Sequence, residues 1–194
     1  GFGVCGMIKG FKKFCLCLLA AGAAGGILAG CNSPANRVLS SRQEYAEQMQ
    51  AAVSTPFGAY PETVVYTLGK MISTNNSNMP AGDTYEDNAY TRYIKEVINV
   101  QNRDVFEETD KQYDTNVSMA IAMNELPDIM LVSNYEDLET LIENDMIEDL
   151  TVSYHNCISD RIREMYASYG EDLIDSVTFD GRIMALPETN ITDG

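Results

Sequence analysis

The 194-residue chain has no tryptophan and one histidine, His155. A histidine-based triad or zinc site therefore has only His155 to draw on. It stands in His155-Asn156-Cys157, where neighbouring side chains diverge on most backbones and no second histidine joins them. A surface histidine and a packed thiol are expected. Cysteine is also sparse in the body of the chain. Of five, Cys5, Cys15 and Cys17 precede Cys31, so no disulfide framework is expected. Positive charge is scarce: 13 basic residues stand against 29 acidic ones, a net −16. Lys9, Lys12 and Lys13 precede Cys31 and no acid does, so the rest carries ten basic residues against 29 acidic, or −19. A surface that negative repels nucleic-acid phosphate, and no Lys/Arg cluster offsets it, so no nucleic-acid partner is expected. Its plain consequence is solubility.

Phosphate-cradling glycine motifs are missing from the body of the chain too. The GxGxxG spacing occurs only at Gly1, Gly3 and Gly6, ahead of Met7, there is no GxxxxGK[ST], and no cofactor is expected. Asp83, Tyr85 and Asp87 have the spacing of a calcium loop, but Asn88 stands where glycine is needed and Ile94 where the closing glutamate belongs. No metal is expected. Nothing singles out a catalytic pair among the many carboxylates. No catalytic residue is assigned and no enzyme activity is expected.

What is present begins with a leader. Met7 to Lys13 is a short basic segment and Phe14 to Ala24 an apolar one, followed by small residues and then Leu28-Ala29-Gly30-Cys31. That order is a secretory signal. Residues 1–6 precede Met7 and read as lying upstream of the true start. Leu28-Ala29-Gly30-Cys31 resembles the lipobox of bacterial lipoproteins. The resemblance implies a diacylglyceryl group on the Cys31 sulfur, cleavage before Cys31, and an anchor in the membrane. Several acyl chains on one residue hold stably where a single chain does not. An uncleaved span is the alternative, but the apolar run is short and rich in glycine. Residues 31–60 then read as a flexible tether, with at most a transient helix over 43–53.

From Pro61 the texture changes. Thr63 to Leu68 is β-branched and aromatic and predicts a strand. Gly69 to Asp83 reads as a long polar loop. Tyr90, Ile94, Val97 and Ile98 predict the inward face of a helix over 85–99, capped by Asp83 or Thr84. A strand is predicted over 100–107. A helix follows over 114–124, with Val117, Ala120, Ile121 and Asn124 on one face and Pro127 as its stop. Asp128 to Val132 predicts a strand buried on both faces. Helices are predicted over 135–144 and after a Ser159 cap, with a shorter one beyond Gly170. Phe179 to Leu186 predicts a tight Asp180-Gly181 turn feeding a strand. Strands alternating with helices define an α/β layer fold with a mostly parallel sheet. The last residues, Pro187 to Gly194, follow a strand without a closing element, which predicts a domain incomplete at the C-terminus.

Three segments stand together: Tyr113 to Ile129 with its Leu126-Pro127-Asp128-Ile129, Leu138 to Thr151, and Phe179-Asp180-Gly181-Arg182-Ile183-Met184-Ala185-Leu186-Pro187. In order and rough spacing, behind a lipobox, they resemble the family 1 extracellular solute-binding lipoproteins of ABC importers. The resemblance covers residues 62–194. It implies the first lobe of a type II periplasmic-binding fold over 61–194, a lobe that closes with a second one on a ligand. It also implies an ABC transporter permease as partner, a small polar solute or oligosaccharide as ligand, and a lipid-anchored place on the extracellular face of a Gram-positive cell membrane. Met184 departs from the family, where an aromatic is common, as does the lack of tryptophan for stacking a sugar.

In open α/β sheets ligands lie beyond the C-terminal ends of strands. Those ends carry Asn75 and Asn76, Ser133 and Asn134, and Glu188 and Thr189, whose hydroxyls, amides and carboxylate suit a neutral polyol. Each has a plainer reading beside this one: turn chemistry for Asn75 and Asn76, a helix cap for Ser133 and Asn134, and a solvated side chain for Glu188. A surface lipoprotein enzyme acting on glycans, or a non-transport adhesin or scaffold, is the alternative function.

Overall fold

The β-branched stretch after Pro61 forms β2 (Val64–Met71), and Val100–Glu108 forms β3 beside it in parallel register from Val64 opposite Val100. A computed structural model describes residues 4–7, 34–73, 79–170 and 172–189 of the chain. Between the two strands runs α2 (Ala89–Ile98). Beyond β3 come α3 (Asp110–Met123) and β4 (Ile129–Val132), which returns to the other side of β2, again parallel. The protein is therefore α/β, with a three-stranded parallel sheet flanked by helices, as the alternation predicts. After β4 follow α4 (Tyr135–Glu143), α5 (Thr151–Cys157), α6 (Asp160–Ser168) and the short α7 (Asp172–Asp175). A small hairpin, β5 (Thr178–Phe179) and β6 (Arg182–Ile183), leads to β7 (Leu186–Pro187).

The sheet order is β3-β2-β4-β1-β7, where β1 is Val4–Met7. β1 is antiparallel to both β4 and β7, so β7 runs in the direction of β4. The sequence predicts no strand in this leader stretch. Its backbone pairs along a β4 edge whose N–H and C=O groups need partners.

Local chemistry explains the boundaries. Asn88, not Asp83 or Thr84, caps α2: its side chain accepts from the Tyr90 and Thr91 amides, and the Thr91 hydroxyl accepts the Asn88 amide in return. Thr84 instead accepts the Asp87 amide at 2.9 Å and shapes the turn before the cap. α2 is also rotated from the predicted face. Thr91, Ile94 and Ile98 turn toward the sheet, while Tyr90 and Val97 stay exposed. The capping box fixes Thr91 near the sheet, which sets that rotation. α3 starts four residues earlier than predicted and ends at Asn124 in the left-handed region (φ 55°), before Pro127 is reached. The Glu125 amide then bonds the Ala120 carbonyl at 3.0 Å. The hairpin turn is as predicted: Asp180 (φ 51°) and Gly181 (φ 74°) both take the positive φ of a primed turn.

The core lies between the sheet and α3/α4. Tyr113, Met130, Leu138 and Leu141 have no exposed surface, and Val117 and Val177 nearly none. The predicted inward residues Val117, Ala120, Leu138 and Leu141 are all there; Asn124 is exposed. The 31–60 stretch, expected as a tether, carries α1 (Pro34–Ser54). Its C-terminal end packs on α5, with Ala52 buried and the Cys157 thiol donating to the Val53 carbonyl at 3.4 Å. α5 was not predicted. Among the described residues no helix is long and apolar enough to cross a membrane.

Candidate functional site

β2, β3, β4 and β7 all run one way, so their C-terminal ends share one edge of the sheet. Glu108, Met71, Val132 and Pro187 are the last residues of these strands. Chain connections leave β2 and β4 in opposite directions: β2 passes through α2 to β3, and β4 passes through α4 toward β7. The two helices lie on opposite faces. α2 sits over Tyr66 and Leu68, the even-numbered face of β2, around a cavity of about 160 Å³. α3 sits over Gly69, on the odd face, and packs beside α4. A switch point between adjacent strands leaves a crevice beyond their ends.

Tyr113 sets the spacing of β2 and β4 there. β2 and β4 pair only through Leu68/Ile129 and Gly69/Met130. Beyond, the buried Tyr113 hydroxyl donates to the Gly69 carbonyl at 2.9 Å and accepts the Leu131 amide at 2.8 Å. One hydroxyl thus replaces the next ladder bond and keeps the strands apart. Its ring is fixed by Phe106, 5.4 Å between centroids. Phe106 can reach it because of a bulge between Leu68 and Gly69: Leu68 faces Asp104, Gly69 faces Phe106, and Val105 is skipped. The extra residue flips Phe106 to the α3 face and leaves Asp104 on the α2 face. Gly69 makes room for this, since a Cβ there would stand 2.4 Å from the Phe106 ring. At the other end of the pairing, Asp128 accepts the Thr67 amide and hydroxyl at 2.7 and 2.8 Å, which fixes the register.

Ser133 and Asn134 lie at the crevice. The Ser133 hydroxyl donates to Asp114 Oδ1 at 2.7 Å. Asn134 caps α4, accepting the Asp137 amide at 2.8 Å, so its side-chain oxygen is committed to the helix. Glu188 and Thr189 extend from β7 on the same edge; Glu188 is exposed, and the Thr189 hydroxyl points to Met165 Sδ at 3.9 Å. The buried Tyr166 hydroxyl bonds the Pro187 carbonyl at 3.0 Å and holds this end in place. Asn75 and Asn76 lie outside the described residues, as do Leu28, Ala29, Gly30 and Cys31. Sequence reasoning missed Asp114, nineteen residues before Ser133. With Thr115, Ser118, Met119 and Ala122 it lines a shallow depression of about 430 Å³. Hydroxyls and a carboxylate beside a thioether can bind a polyol by its hydroxyls and its C–H face.

A second polar cluster sits where β2 and β3 meet the start of α2. Lys70 is 3.8 Å from Asp104 Oδ2 and donates to the Tyr85 carbonyl at 2.6 Å. Glu86 Oε2 accepts the Asp104 amide at 2.6 Å. Burial, then a hydrogen bond with Asp104 and its charge, push Glu107 above the usual glutamate range; Lys70 opposes this. Elsewhere, His155 is exposed, and its ring meets Tyr154 edge-on at 5.5 Å. Burial pushes the Cys157 thiol up, which favours its protonated form.

No family model, curated protein or solved structure matches the chain.

Proposed function

We propose that this protein is a lipid-anchored, extracellular solute-binding lipoprotein that captures a polar solute, a sugar or oligosaccharide, for an ABC importer. In this reading the α/β layer is the first lobe of a type II periplasmic-binding fold, and a second lobe closes over the crevice. The observation that carries it is the Tyr113 wedge, which parts β2 from β4 at the switch point and leaves Ser133, Asp114 and the Glu188 end on one polar rim. Ser133 and Asp114 act as a pair: the hydroxyl orients the carboxylate, whose other oxygen accepts a solute hydroxyl. Glu188 and Thr189 offer a second set of acceptors across the edge. Binding and closure are the work; no bond is broken. Cys31, lipidated after Leu28-Ala29-Gly30, keeps the receptor beside its permease; that cleavage takes β1 with it, so the mature lobe is built on β3, β2 and β4.

Calorimetry on the full-length protein with a panel of oligosaccharides tests the binding. Saturable heat from at least one polyol, weakened about tenfold by Ser133→Ala through loss of a hydrogen bond to a charged group, is expected. No binding to any of them overturns it. Mass spectrometry of the membrane fraction tests the anchor: an acylated N-terminal Cys31 is expected, and an unmodified, freely released polypeptide contradicts it.

A further inference from the structure

The segment 84–88 leads into α2 across the end of the sheet, and three contacts tie it down. Glu86 accepts the Asp104 amide at 2.6 Å, Lys70 donates to the Tyr85 carbonyl at 2.6 Å, and the Tyr85 hydroxyl donates to the Ser73 carbonyl at 3.0 Å. Three carboxylates thereby lie near one another: Asp104 and Glu107 beside Lys70, and Glu86 on the Asp104 amide. Asp104 is the deepest, with its side chain 2% exposed. Its Oδ1 accepts from Asn102 Nδ2 at 2.7 Å. Its Oδ2 is shut off from water, Lys70 stops 3.8 Å away, and no donor reaches it. A buried acceptor left without a donor costs the desolvation of that group. These carboxylates lie near the lysine without converging on one point, and among the described residues no group of three His, Cys, Asp or Glu side chains could hold a metal ion. The neighbouring carboxyl on this face is Glu107, half-buried: Asp104 stands opposite Leu68 and Glu107 opposite Lys70, with the bulge bringing them to the same side of the sheet.

We propose that a proton carried by Glu107 is the missing donor to Asp104 Oδ2, and that this shared proton latches segment 84–88 to the sheet. The groups facing Glu107 are Asp104 on its own strand, Lys70 from β2 and Glu86 from the segment. Losing the proton leaves three carboxylates against one lysine. Glu86 is the one of the three that is not on the sheet, so the repulsion is relieved by releasing its segment. The latched state holds the Glu107 proton more tightly than the released state. Opening therefore becomes easier as pH rises from the ordinary glutamate value to the raised one, by up to tenfold per pH unit, and is level outside that window. The latch is a property of the loop and stands whether or not the neighbouring crevice takes a solute.

Two measurements on the whole chain test it. The first is carbon NMR titration of the Glu107 carboxyl, with a midpoint expected above those of the exposed glutamates. The second is hydrogen exchange at the Asp104 amide, corrected for the intrinsic pH dependence of exchange. Protection in the native protein is expected to fall with pH across the window. In Glu107→Gln, whose amide supplies a permanent donor, it is expected to stay flat. A Glu107 that titrates with the exposed glutamates overturns the proposal, and so does a Glu107→Gln protein with the native pH profile. Should that variant not fold, the carboxyl titration decides alone.

Discussion

Tyr113 is the residue that spaces β2 from β4. Removing its hydroxyl leaves the Gly69 carbonyl and the Leu131 amide without their partner in a buried place. Tyr113→Phe is expected to cost about 2–3 kcal/mol, read as a lower urea midpoint at unchanged slope. Gly69→Ala forces the Phe106 ring off its seat and with it the Tyr113 ring; about 1–3 kcal/mol is expected from the same measurement. Neither role was legible in the sequence. Helical spacing finds Val117 and Ala120 because apolar periodicity reports burial, whereas a hydroxyl that bridges two strands leaves no periodic trace. The Ser133–Asp114 bond was hidden for the same reason, since it joins residues from different elements. Cys157 is the opposite case. A packed thiol was expected, and the thiol is turned to the Val53 carbonyl with its proton affinity raised by burial. A chromogenic disulfide reagent at neutral pH is expected to react slowly with Cys157 in the native protein and rapidly once urea unfolds it.

At the scale of elements, caps and faces carry the differences between sequence and structure. Asp83 and Thr84 satisfy the usual signature of a helix start, yet the cap falls on Asn88, because the Thr84 hydroxyl is engaged by the Asp87 amide in a turn before the helix while Asn88 and Thr91 close the capping box. Asn88→Ala removes both capping bonds and is expected to cost about 1 kcal/mol in thermal or urea unfolding. α4 shows what periodicity does find. Leu138 and Leu141 were read as inward and have no exposed surface. Leu141→Ala is expected to cost about 2–5 kcal/mol, since the packed sheet cannot collapse onto the gap. α1 was harder to read. It is polar over most of its length and gains its support at one end, from α5, which itself lacks a side-chain cap. Helices stabilised by docking rather than by pattern escape a reading of single segments.

For the whole molecule, the alternation of strand and helix from residue 61 was enough to give the α/β class and the parallel direction of β2, β3 and β4. Handedness and short connections then leave few ways to order those strands. The insertion of β1 between β4 and β7 was not legible, because four residues beside a basic, apolar leader look like part of that leader. The expected ligand rim depends on strand direction alone, and Ser133, Asn134, Glu188 and Thr189 do lie at ends that share an edge. The measurement that tests the account most directly is amide NMR of the full-length protein titrated with the polyol that calorimetry selects. Saturable shifts at Ser73, Asp114, Ser133 and Glu188, with the opposite edge around Val64, Val100 and Asp128 unmoved, are the expected result. Shifts confined to that opposite edge would contradict it.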